Sequence, residues 1–219
     1  MKKIYFLLLI FFVLINFKTY EYQSINFQEK NRIETTYLLK AINFFKRYFE
    51  TKRLIKKNFL NNSELSNLKK IESIFIWTKK NIELNYQNVV DDHHLNIIKR
   101  GKGTHDQRAL VFAMLLNFLN IDSFYKCSKE NFSCLTFVKL NNKWLFYDIN
   151  QWKLNDLNKY KNKNFLYEYD KIDPEFKLNN SYAEIFQSLN KDIDWELYNN
   201  TSYIQTPIRR LVYFINEKR

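Results

Sequence analysis

Residues 99–121 read KRGKGTHDQRALVFAMLLNFLNI, and the fold is decided here. The chain has only two glycines, Gly101 and Gly103, and both stand directly before one helix. From Ala109 to Leu119 that helix is apolar almost all round, so it is expected to be buried on every side rather than half-exposed. Glycine allows a sharp backbone path into a helix and leaves room beside its first amides. A phosphate-binding loop is excluded, because GKGT lacks the Gly-x4-Gly-Lys-Ser/Thr spacing.

Upstream, residues 33–60 place Leu38, Ile42, Phe45 and Phe49 three and four apart, which predicts an amphipathic helix preceded by a polar connector to about Asn31. Ser63 is a candidate cap for a second helix with a stripe of Leu68, Ile71, Phe75 and Ile82. A loop with NVVDDHH, residues 88–94, leads to a short helix, LNIIKR. Downstream, DSFYKC, CLTFVKL and KWLFYDI read as strands. LNNKW joins the last two as a tight turn, since Asn tolerates left-handed backbone angles. Trp77 and Trp144 are expected in the core. Near the C-terminus Thr206 and Pro207 have the types of a helix cap and a first helical residue.

Helices come first and an antiparallel sheet after them, so the expected class is α+β: N-terminal helices, then a central buried helix packed on a small antiparallel sheet. Four regions follow: 1–23 as an export segment, 24–62 as a helical extension, 63–150 as the core, and 151–219 as an extension packing on that core.

The export expectation rests on Lys2 and Lys3 ahead of the apolar run Ile4–Ile15, the length of a signal-sequence core and short of the ~20 residues that span a bilayer. No small-x-small cleavage site follows, so a cleaved signal and an N-terminal membrane anchor both stay open. The protein is expected to be exported, either periplasmic or anchored to the membrane. A net charge of +12 favours anionic neighbours such as a phospholipid surface. The positive charge is spread along the chain with no compact basic block, and nucleic acid is not expected as a partner. Cys127 and Cys134 flank SKENFS, which reads as a hairpin turn; with a four-residue loop they would face each other across two strands, as a disulfide in an oxidising compartment or as buried thiols.

A buried helix after a glycine turn, followed by a hairpin and then Trp-x-x-x-Asp, resembles the transglutaminase-like fold of the papain-related thiol enzymes. Their signature reads roughly Gly-x-Gly-x-Cys-Asp before the helix. The likeness covers residues 65–150: IFIWTKKNIELNY, GKGTHDQRALVFAMLLNFLNI and SCLTFVKLNNKWLFYD, with Trp144 and Asp148 in place. The resemblance puts the nucleophile where His105 stands and the catalytic histidine where Ser133 stands; only Asp148 of the triad remains. A thiol at a helix N-terminus is held as thiolate by unpaired amides, with an imidazole to take its proton. An imidazole in that seat cannot replace it, and Ser133 cannot act as the base.

The resemblance therefore implies a non-catalytic binding or scaffolding protein of the cell envelope, taking a peptide, protein or glycan and needing no cofactor. Two enzyme readings stand beside it. In the first, Cys134 is the nucleophile, His105 the base and Asp148 the orienting carboxylate. If Ser133 faces the site, alternation along the strand turns Cys134 away, and a bridge to Cys127 would remove the thiol. In the second, His93, His94 and His105 with Asp91, Asp92 and Asp106 hold a metal for hydrolysis; the simpler reading of His93 and His94 is a polar loop that caps LNIIKR.

Overall fold

The computed structural model describes residues 2–26, 29–59, 65–86, 93–128, 133–150, 167–168, 182–189, 193–200 and 215. The centre is the helix α5, His105–Phe118, buried over nearly its whole length after the first turn. Its apolar residues leave no face for water, so helices cover one side and a sheet covers the other. On the helical side lie α2 (Tyr37–Phe59), α3 (Asn67–Asn81) and α4 (His94–Arg100), and the core runs through Ile55, Ile71, Phe75, Ile97, Phe112 and Leu115. The α+β class holds.

The sheet is built from β5 (Ser123–Cys127), β6 (Cys134–Leu140), β7 (Lys143–Tyr147) and β8 (Tyr167–Glu168), antiparallel and in chain order. Asn141 and Asn142, with φ of 50° and 62°, make the two-residue turn from β6 to β7. Asn tolerates that left-handed pair, whose twist matches the strands. Alternation sorts the sheet into two faces. Tyr125, Cys134, Val138, Leu145 and Tyr147 join the cluster around α5, while Phe124, Leu135, Phe137, Trp144 and Phe146 form a second cluster on the far face. The helices α6 (Ala183–Ser188) and α7 (Ile193–Asn200) cover that far face with Ile185, Phe186 and Leu197. Lys126 pairs with Glu196 at 3.0 Å and Lys139 with Asp194 at 2.7 Å across the same junction.

Hydrogen bonds answer the buried polar groups where α5 meets β5. Asn117 is buried in an apolar helix, yet its Nδ2 donates to the carbonyls of Ala113 (3.0 Å) and Ser123 (2.8 Å). Ser123 Oγ donates to the same Ala113 carbonyl at 2.8 Å. Together they lash the end of α5 to the first residue of β5, and leaving such groups unpaired would cost about 1–3 kcal/mol each.

Two elements differ from expectation. The stretch read as a polar connector is an antiparallel hairpin, β1 (Lys18–Asn26) with β2 (Glu29–Thr36), so the region 24–62 is not wholly helical. The cap of α3 is Ser66, whose Oγ accepts the Lys69 amide at 3.4 Å; Ser63 lies outside the described residues. The expected C-terminal helix at Thr206 and Pro207, Asp91 and Asp92 lie outside them too. The apolar N-terminal run forms α1 (Lys2–Ile15), and no helix among the described residues is long and apolar enough to cross a membrane.

Candidate functional site at the start of the central helix

The approach to α5 begins at Gly101, which ends α4 with φ +68° and donates its N–H to the Ile97 carbonyl at 3.0 Å. Only glycine takes that backbone angle without cost. A two-residue strand, β4 (Lys102–Gly103), then pairs in parallel with β3 (Glu83–Leu84) at the end of α3. Gly103 is needed for a different reason. A Cβ there would come within 3.1 Å of Ile97 Cγ2 and 3.3 Å of the Gln107 side chain. That space is used by Gln107, whose Oε1 accepts the Thr104 N–H at 3.3 Å and an Arg100 N–H at 3.1 Å. The two glycines thus set the direction and the first turn of α5.

His105 is the first residue of that helix. Its Nε2 is hydrogen-bonded to the Tyr86 hydroxyl, and the two rings meet edge to face at 5.2 Å. Burial raises the Tyr86 hydroxyl above its ordinary range; nearby Arg108 opposes that and Asp106 adds to it. One turn on, Arg108 is buried in the otherwise apolar helix. Burial lowers its pKa, while the charge of Asp148 acts in the other direction. Asn150 joins both ends: its Nδ2 donates to the His105 carbonyl at 3.2 Å, and its Oδ1 accepts from Arg108 at 3.4 Å.

Asp148 follows β7 and is almost fully buried. Its Oδ1 accepts the Asn150 N–H and its Oδ2 accepts the Tyr182 hydroxyl, both at 2.8 Å. The carboxylate therefore fastens the turn after β7 and a residue at the start of α6. Together with Asn150 and Arg108 it ties that turn to the first turn of α5.

Cys127 and Cys134 face each other in register and are joined as a disulfide, Cα–Cα 4.1 Å. These are the chain's two cysteines, so no thiol remains. The expected alternation is reversed. Cys134 is on the α5 side of β6, while Ser133 precedes the strand and gives its carbonyl to the Ser128 N–H at 2.8 Å. The bridge removes the thiol that the exchanged triad Cys134, His105 and Asp148 would need.

The histidines do not converge. His93 caps α4, its Nδ1 accepting the Leu95 N–H at 3.1 Å. His94 stacks on it at 4.4 Å and shares a 2.9 Å hydrogen bond with Thr51 of α2. Burial, then the charges of His93 and Arg47, hold the His94 pKa down at about 3, so the ring is neutral. Among the described residues no group of three or more His, Cys, Asp or Glu is arranged to hold a metal.

Beside the start of α5 is an open groove of about 420 Å³, lined by Asp106, Tyr125, Lys126, Cys127 and Glu196. It runs along β5, an edge strand of the sheet, past the disulfide to α7. Sequence reading missed Tyr86, Arg108, Asn150 and Tyr182. Arg108 had a signal, being a cation inside an apolar helix, and Tyr86 closes the NIELNY stretch already quoted.

In comparisons with known proteins, no family model matches the chain, and no curated protein or solved structure matches it either.

Proposed function

We propose that this chain is an exported, non-catalytic binding or scaffolding protein of the cell envelope with a transglutaminase-like core. The disulfide carries the reading: it takes up both cysteines of the chain, while His105 occupies the helix-start position where such a core would hold its thiolate. Arg108, Asn150 and Asp148 then serve as a structural clamp between the start of α5, the turn after β7 and Tyr182. The groove beside Asp106, Tyr125 and Glu196 is the place for a peptide, protein or glycan ligand. Its mixture of an aromatic ring, carboxylates and an edge strand suits a polar extended chain.

The test of the seat is His105→Cys. A helix N-terminus built for thiolate lowers the pKa of a cysteine placed there below the ordinary value of about 8.5. An ordinary or raised value removes the kinship argument. The ligand is sought separately, with a photo-reactive benzophenone side chain at position 125 in the exporting cell. Crosslinks to a peptide, protein or glycan of the envelope are expected, and their absence ends the binding reading.

A further inference from the structure

On α2, the residues Leu38, Ile42, Phe45 and Phe49 are 38%, 50%, 55% and 62% exposed. At 100° per residue they fall within an arc of about 60° along one side of the helix. The residues that α2 buries, Thr51, Ile55 and Phe59, lie on another side, about 110° round. This helix therefore has two apolar faces, and among the described residues the core takes one of them.

The second face has a charged border. Lys46 and Arg53 flank it on one side, Lys52 on the other, and Lys56 stands at its C-terminal end, all exposed. Across α2 there are seven basic residues against one acid, Glu50. An aliphatic and aromatic stripe edged by lysine and arginine is complementary to one surface in particular, a bilayer with anionic headgroups, where the stripe enters the acyl boundary and the cations stay at the phosphates. A second exposed apolar element lies against this helix. The helix α1 packs against α2, and Ile4, Phe6, Leu7, Phe11 and Phe12 on it are each more than 60% exposed. Its 14 residues rise about 21 Å, short of the ~30 Å hydrocarbon thickness.

We infer that α2 is a membrane-docking helix. It lies in the plane of an anionic phospholipid surface on its Leu38–Ile42–Phe45–Phe49 face and holds the α+β core against that surface. The inference extends the export reading and is separate from the groove and from the lost thiol.

The experiment places a single environment-sensitive NBD label on the full chain through Phe45→Cys or Phe49→Cys. Asn43→Cys is the control, exposed on the same helix but off the stripe. Because the label sits on α2, any insertion of α1 alone leaves it in water. With vesicles of phosphatidylglycerol and phosphatidylcholine, emission from positions 45 and 49 is expected to rise severalfold and shift to the blue, with little change at 43. The response should weaken in high salt. Four results overturn the proposal: unchanged emission at 45 and 49, an equal response at 43, an equal response to phosphatidylcholine alone, or blue-shifted emission before vesicles are added. The last would mean that the chain itself or a second copy covers the stripe. None of them bears on the pKa of a cysteine at position 105 or on crosslinking in the groove.

Discussion

At Gly101 the backbone holds φ at +68°, and any L side chain placed there must take the left-handed conformation. Gly101→Ala is expected to lower unfolding stability by about 1–2 kcal/mol, and Gly101→Asn by less, since Asn visits that region more readily. Urea unfolding measures both, and equal stability for Ala and parent would contradict this account of the turn. His94 gives a pH prediction. Its folded pKa of about 3 lies below the unfolded 6.5. Between those values the unfolded chain binds a proton that the folded chain refuses. This stability is therefore complete above the unfolded pKa and is lost as pH falls towards the folded one, by up to about 1.4 kcal/mol per pH unit. His94→Gln should remove that slope, read as the difference between parent and variant in urea titrations at about pH 7 and about pH 4.5. Parallel slopes would contradict it. Much at this scale was legible from residue type: a glycine pair before a helix, two asparagines at a hairpin turn, cysteines either side of a short loop. The partners of those residues were not. Tyr86 and Tyr182 reach the site from 19 positions before His105 and 34 after Asp148, and no local spacing encodes such a contact.

The hairpin of β5 and β6 is closed by the bridge between Cys127 and Cys134, which stand seven positions apart in the sequence. Closing so short a loop removes little unfolded-state entropy, so replacing both cysteines by Ala should cost about 2 kcal/mol. The fold should survive, because Phe124, Leu135 and Phe137 still bury one face of these strands and α5 the other. Loss of cooperative unfolding in the double variant would show that the bridge, and not the core, holds the sheet. Elements with a strong apolar pattern were readable: α2 and α3 by their period, α5 by its unbroken apolar run, and the three strands β5 to β7. The hairpin of β1 and β2 was not. Its strands KTYEYQSIN and EKNRIETT are mostly polar, and no glycine or Asn-Gly pair marks the turn. The same polarity made a connector the natural reading, and pairing depends on a register that sequence alone does not state. The second apolar stripe of α2 was visible as a period, but its exposure follows from which side α5 takes.

Among the described residues, the almost wholly buried helix α5 organises the core: α2, α3 and α4 on one side, a sheet on the other, and α6 and α7 closing the sheet's far face. The order of helices before sheet was written in the sequence. The reversed alternation at Cys134 was not, because register depends on where the strand starts against α5. The positive charge of +12 had no address in the sequence beyond its sum; the fold gathers part of it along the exposed apolar stripe of α2. The central claim is that no working thiol catalyst exists in this molecule. Thiol-directed alkylation of the full chain, mapped by peptide mass analysis, tests it most directly. The account predicts no labelling of the unreduced protein. After mild reduction it predicts that Cys134 labels no faster than a thiol in the denatured chain, with the same rate in His105→Ala. Rapid and selective labelling of Cys134 that His105→Ala abolishes would contradict it.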